Sequence, residues 1–166
     1  MSNVFPRQIT NPPIKAVSSD GCYIIDENGK QYLDGSGGAA VSCLGHGDPD
    51  VIKAVQDQTS KMAFAHTGFF SSDPAEELAE LLIDNAPGEL DRVYFVSGGS
   101  EAIEAAIKLS RQFHIENGEP SRHHIIARKQ SYHGNTLGAL AAGGNKWRRN
   151  QFEPILIDAS HISPCY

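Results

Sequence analysis

The sequence predicts an α/β fold in which an N-terminal β-hairpin and helix segment precedes the start of a mostly parallel sheet with crossover helices. Three observations predict it. Two β-prone runs flank Asn28-Gly29, two Asp-Pro steps open apolar periodic stretches at Pro49 and Pro74, and from Arg92 a strand, a Gly-Gly turn, a long helix and a second strand follow in order.

Residues 1–20 contain Pro6, Pro12 and Pro13 and lack periodicity, which fits an arm running over a surface, its own or a partner's. From Cys22 to Asp34 the text C-Y-I-I-D-E-N-G-K-Q-Y-L-D reads as a hairpin, because Asn-Gly takes the positive φ angles of a tight turn. The Gly-rich run Ser36–Pro49 allows close approach to a ligand or to another backbone, and on sequence alone an irregular loop outweighs a binding role. Asp48-Pro49 reads as an N-cap and first helical position, followed by Val51, Ile52, Val55 and Met62 near helical spacing. Asp73-Pro74 repeats the signal before Leu78, Leu81 and Leu82, and Pro87-Gly88 ends that helix.

The run R-V-Y-F-V-S from Arg92 reads as a β-branched and aromatic strand leading into Gly98-Gly99. A helix with a buried stripe of Ala102, Ile103, Ala106, Ile107, Ser110 and Phe113 follows and ends at Asn117-Gly118. H-H-I-I-A-R from His123 then reads as a second strand, joined to the first by a parallel, right-handed crossover. A third strand is expected at Ile155–Asp158.

A chain of 166 residues has the length to remove roughly 70% of its unfolded surface from water. Its composition, 40% hydrophobic and 20% charged, is globular. Twenty acidic against 14 basic residues give a net charge of −6 without a basic block, which argues against nucleic acid as a partner. The polar, proline-punctuated start has neither the apolar core of a secretory signal nor a membrane span, so the cytoplasm is the expected location. Cys22, Cys43 and Cys165 are widely spaced and read as reduced thiols. The seven histidines lack i, i+4 pairing, His123 and His124 should point to opposite faces of their strand, and no metal is expected.

Two stretches carry chemistry. In S-G-G-S-E-A, Ser97 to Ala102, free amides at a helix start form an anion site into which glycines admit a phosphate. A plain tight turn with Ser100 as N-cap carries equal weight on this stretch alone. Neither G-x-x-x-x-G-K-[ST] nor G-x-G-x-x-G is present, so ATP and NAD are excluded, and the scarcity of positive charge suits the single phosphate of a cofactor held by other bonds as well. The second stretch, Q-S-Y-H-G-N-T from Gln130 to Thr136, follows the second strand directly. Ligands bind beyond the carboxyl ends of parallel strands, so both stretches should share one edge, where Tyr132 can stack on a planar group and Gly134 leaves room.

Four ordered blocks, G-C-Y-I-I-D-E-N-G-K-Q-Y-L-D, S-G-G-A-A-V-S-C-L-G-H, S-G-G-S-E-A-I-E-A-A-I-K-L-S-R and S-Y-H-G-N-T, together resemble the class III aminotransferases, pyridoxal-phosphate enzymes of fold type I. The resemblance covers nearly the whole chain and corresponds to the N-terminal part of the family. It implies pyridoxal 5'-phosphate as cofactor, its phosphate held by Gly99 and Ser100 with Gly98 in the same turn, and its ring stacked on Tyr132 with His133 beside it. Many members have Ser where this chain has Gly98, which puts one hydroxyl contact in doubt and leaves the backbone donors intact.

The resemblance further implies an arm, hairpin and first helix of a small domain in residues 1–70, and the first portion of a large cofactor-binding domain in residues 71–166. The family's Schiff-base lysine and the aspartate that pairs with the pyridine nitrogen lie downstream of Tyr166. None of Lys15, Lys30, Lys53, Lys61, Lys108, Lys129 or Lys146 stands in a matching context, so a truncated or partial chain without a catalytic residue of its own is expected. The implied activity is transfer of an amino group from an amine, ω-amino acid or amino acid to a 2-oxo acid such as pyruvate or 2-oxoglutarate, in a homodimer with active sites at the interface. Alternatives are an aminomutase, a decarboxylating relative, and a non-catalytic binding module.

Overall fold

The computed structural model describes residues 3–166, which divide between Glu76 and Glu77 into two compact units. The first unit is built on an antiparallel sheet, β1 (Ala16–Asp20), β2 (Tyr23–Asp26) and β3 (Gln31–Leu33), in that order. β2 and β3 form the expected hairpin, with Tyr23 paired to Leu33, Ile24 to Tyr32 and Ile25 to Gln31. Gly29 in its turn has φ +78°, a left-handed backbone that glycine adopts without steric cost. The Asp26 carboxylate closes the turn by accepting from the amides of Asn28 (2.9 Å) and Lys30 (3.0 Å) and from the Tyr32 hydroxyl (3.0 Å). Desolvation alone would raise its pKa; the Lys30 and Asn28 amides and the Tyr32 hydroxyl outweigh it and hold the pKa below the ordinary value.

β1 corrects the reading of residues 1–20 as a non-periodic arm. A-V-S-S-D has no alternation of its own, and its pairing with β2 breaks register between Ala16 and Ser18, so the partner strand rather than the local pattern specifies it. The Gly-rich run that follows β3 approaches backbone. Gly21 and His46 exchange two backbone hydrogen bonds of 2.9 and 2.7 Å, and a Cβ on Gly45 would lie 2.9 Å from the Gly21 carbonyl oxygen. Within it, α1 (Gly37–Ala40) has left-handed φ throughout, from 54° to 68°, including Ala39 and Ala40, where L-residues are strained.

Asp34 organises this run. Its carboxylate accepts from the Gly38 amide (3.2 Å) and from the Ser36 (3.2 Å) and Ser42 (3.1 Å) hydroxyls, and lies 3.0 Å from His46 Nε2. The Gly38 amide, then His46, then the two hydroxyls hold its pKa at about 2 against an ordinary value of 3.8. A depressed carboxylate pKa stabilises the folded state at pH above 3.8, and that contribution is lost as pH falls through about 2. In an NMR titration, the Gly38 amide and His46 ring shifts should move together with a midpoint near 2. A midpoint in the ordinary carboxylate range would refute this account of the loop.

The helix starts follow their signals. α2 (Pro49–Lys61) is capped by the Asp48 side chain, which accepts from the amides of Asp50 and Val51, and Pro49 occupies a position whose missing N–H costs nothing. α3 (Asp73–Asp84) begins one residue earlier than read, with the Ser72 carbonyl accepting from Ala75 and Glu76.

The second unit contains α4 (Gly99–Glu116), β4 (Ile126–Arg128), α5 (Leu137–Ala142), α6 (Lys146–Arg149), a 3₁₀ turn (Asn150–Ile155) and β5 (Ser160–Ile162). β4 and β5 pair in parallel, Ile126 with Ser160, Ala127 with His161 and Arg128 with Ile162. This parallel pair belongs to the expected class, but several of its expected details are corrected. Residues 92–97 form no strand, because no described strand pairs with them, and Tyr94 and Phe95 remain exposed. The parallel pair therefore joins β4 to β5, not to residues 92–97. The third strand lies at Ser160–Ile162, since Ile155 closes the 3₁₀ turn around Pro154. His123 and His124 precede β4, escape its alternation, and stack with ring centroids 4.4 Å apart.

Burial is sparse. Among the described residues the buried apolar side chains are Ala139, Leu140, Ala141 and Ala142. The expected stripe on α4 is not buried: Ile103, Ala106 and Ile107 face an open groove of 940 Å³ shared with Ile125, Ala127 and Ile157, and Phe113 is 60% exposed. In the second unit the strand-forming run before Gly98 is left exposed at Tyr94 and Phe95, and the apolar side of α4 borders an open groove. None of the helices in the described residues is long and apolar enough to cross a membrane.

Candidate functional site

Helix α4 begins at Gly99, with Gly98 as N-cap in an extended conformation and without a side-chain cap. Its first intrahelical bond runs from the Ala102 amide to the Gly98 carbonyl. The preceding amides, those of Gly99, Ser100 and Glu101, are the orphan donors of a helix start, backed by the positive end of the helix dipole. Ser100 is therefore not the cap. Its hydroxyl oxygen accepts instead from the Asn135 amide at 2.9 Å, 35 residues away, and the hydroxyl proton stays available for a ligand.

That bond joins the two stretches singled out in the sequence. The loop after β4 opens with Gln130 at φ +59°, and the Ser131 hydroxyl turns back onto the Arg128 carbonyl at 2.6 Å. Gly134 then passes directly over the helix start: with φ +136°, it would place a Cβ 2.5 Å from Ser100 Oγ and 2.8 Å from Ser100 Cα. Tyr132 is 63% exposed, with the Arg148 guanidinium 5.0 Å from its ring centroid. A cation over one face leaves the other free for a flat ligand.

An open cavity of 380 Å³ is lined by Gly99, Ser100, Ile103, Tyr132, His133 and Gly134. Four of the five residues nominated from sequence meet there; Gly98 stands behind them as the N-cap. A Cβ on Gly99 would meet nothing within 4 Å, so the space beside these amides is open. Unsatisfied amides, a hydroxyl donor, an aromatic face and a bare glycine fit a phosphorylated planar cofactor. No lysine is among the lining residues. Among the described residues no cluster of His, Cys, Asp or Glu could hold a metal ion. All three cysteines are free and exposed.

Gly134→Ala should separate the two stretches, since both the positive φ and the backbone of Ser100 oppose a methyl group. A loss of about 2–3 kcal/mol is expected in denaturant unfolding, together with faster exchange of the Asn135 amide. A variant as stable as the parent would mean that the loop does not sit on the helix start.

The end of β4, the aromatic loop after it and the start of α4 converge on one open cavity, the place at which ligands bind in open α/β proteins. The sequence matches the family described as Aminotransferase class-III over residues 4–165, and the chain belongs to that family. It is 46% identical over 155 residues to an uncharacterized aminotransferase of Schizosaccharomyces pombe, covering 93% of this chain and 34% of the relative. It is also 36% identical over 137 residues to the acetylornithine aminotransferase of Clostridium acetobutylicum, covering 82% and 35%. Among solved structures, adenosylmethionine-8-amino-7-oxononanoate aminotransferase from Methanocaldococcus jannaschii superposes with a TM-score of 0.89 at 29% identity, over 98% of this chain and 38% of that one. The omega transaminase of Pseudomonas jessenii in complex with PMP gives a TM-score of 0.91 at 27% identity, over 98% and 37%. The chain spans about a third of the length of the curated relatives it matches.

Proposed function

We propose that this chain supplies the phosphate-holding and ring-holding part of a transaminase site for pyridoxal 5'-phosphate. When bound, the cofactor would supply the chemistry for carrying an amino group from a donor to an acceptor. The residues of this chain hold and orient it. The α4 amides and the Ser100 hydroxyl receive the phosphate, Gly99 lets it come close, Tyr132 lies against the ring and His133 stands beside it. The site would serve transfer from an amine, ω-amino acid or amino acid to a 2-oxo acid, with small molecules as its substrates and a second copy of the chain completing a cytoplasmic homodimer. On this reading residues 1–70 belong to a small domain and residues 71–166 to the first portion of a large cofactor-binding domain. The observation that carries the reading is the meeting of Gly99, Ser100, Tyr132 and His133 around one cavity.

Gly99→Val tests the phosphate half. The position has open space and no positive φ, so the variant should keep the stability of the ligand-free chain while cofactor affinity drops about tenfold, as expected when charge-assisted amide bonds are blocked. Equal affinity for pyridoxal phosphate in both proteins, measured by titration, would refute the assignment. Tyr132→Leu tests the ring half: loss of the aromatic stack should cost about 1 kcal/mol, roughly fivefold in affinity, with little change in unfolding because the side chain is largely exposed.

A further inference from the structure

Helix α5 is the one element of the second unit whose residues are largely buried, yet the end facing the candidate site lacks its own cap. Thr136 occupies the N-cap position and makes no side-chain cap bond. The acceptor comes from α4 instead. Glu104 Oε1 accepts from the Gly138 amide at 2.8 Å and from the Ala139 amide at 3.2 Å. A carboxylate at a helix start satisfies orphan donors and meets the positive end of the dipole. Gly138 is the residue that allows the approach, since a Cβ there would sit 2.5 Å from Glu104 Oε2.

Glu104 lies one turn beyond Ser100 on the same face of α4. Ser100 holds Asn135, and Glu104 holds Gly138 and Ala139, so the helix grips the downstream run of the Tyr132 loop at two successive points. We propose that Glu104 is a positioning residue: by capping α5 from outside, it holds the loop that carries Tyr132 and His133 against the Gly99-Ser100 turn. This inference rests on the cofactor reading of that cavity for its consequence, though not for its geometry. Thr136 beside it and the Ala139 and Gly138 amides outweigh desolvation and hold the Glu104 pKa below the ordinary value, so at neutral pH the group stays a carboxylate, which only accepts.

The test uses the full chain and three substitutions. Glu104→Ala removes the acceptor, Glu104→Asp keeps the charge but shortens the reach, and Glu104→Gln keeps both the length and an acceptor oxygen. Amide hydrogen exchange at Asn135, Gly138 and Ala139 should speed up about tenfold or more in the Ala and Asp variants and stay within about threefold of the parent in the Gln variant. Affinity for pyridoxal phosphate should fall about tenfold in the first two and recover in the third, while affinity for inorganic phosphate, carried by the α4 amides, changes less than about threefold. Unchanged exchange in Glu104→Ala would overturn the cap. Accelerated exchange with unaltered pyridoxal phosphate affinity would overturn the positioning role. A parent chain that shows the expected exchange pattern but binds no pyridoxal phosphate would overturn the cofactor reading and leave the cap standing.

Discussion

Incubated with pyridoxal phosphate, an amine donor and pyruvate, the chain of 166 residues is expected to give no amino transfer above the cofactor-only rate. Transamination needs an amine that holds the cofactor covalently, yields it to the substrate and then moves a proton between two carbons. Seven lysines are present in the sequence, and none lines the cavity formed by Gly99, Ser100, Ile103, Tyr132, His133 and Gly134. Proximity alone is worth several orders of magnitude in rate, so an amine held elsewhere on the chain does not substitute. Borohydride reduction followed by peptide mapping reads this directly. Stoichiometric pyridoxyl labelling of one lysine, together with amine-to-pyruvate transfer, would show that the site contains an amine which the cavity does not reveal.

What the sequence made legible was what local chemistry decides. The hairpin turn is made by Gly29 at positive φ and by Asp26 accepting from Asn28 and Lys30, and Asp48 caps α2 through two neighbouring amides, so neither requires knowledge of the rest of the chain. Sheet pairing is different, because a strand exists only when a partner satisfies its ladder. Residues 92–97 have every local mark of a strand and no described partner, whereas Ala16–Asp20 has almost none and pairs with β2. The same reasoning explains the displaced third strand: Ile155 and Ile157 are good β-formers, but the pairing with Ile126–Arg128 falls on Ser160–Ile162.

The candidate site was legible as two stretches and illegible as a structure. Gly-Gly before a helix and Tyr-His-Gly after a strand could be nominated because their residue types have few other uses together. Their connection could not, since it depends on Ser100 meeting Asn135 and on Glu104 meeting Gly138, contacts 35 and 34 residues apart in the chain. Glu104 stood within the S-E-A-I-E run with no role assigned to it. Its one available signal was the glycine at 138, placed inside a helix where glycine is otherwise unfavourable.

Gly144→Ala is expected to be the most damaging single-methyl change in the second unit. Gly144 follows α5, donates to the Ser131 carbonyl and hydroxyl oxygens at 3.1 Å each, and accepts from the Gln130 amide at 3.1 Å. It thus fastens the buried helix to the end of β4. A Cβ there would lie 2.0 Å from the Arg128 carbonyl oxygen and 2.6 Å from Lys129 Cα, both backbone atoms that cannot rotate aside. The methyl group forces α5 away from the strand, and the few buried apolar residues, Ala139 to Ala142, move with it. Overpacking against backbone costs about 3 kcal/mol or more, which in a unit of this size corresponds to a drop in Tm of roughly 15 °C. Gly35→Ala is the matched control, because its added methyl meets nothing within 4 Å and its backbone is not left-handed. Calorimetry on both variants decides the matter: equal Tm values would mean that α5 does not pack on β4 through Gly144, and the Tyr132 loop between them would lose its fixed frame.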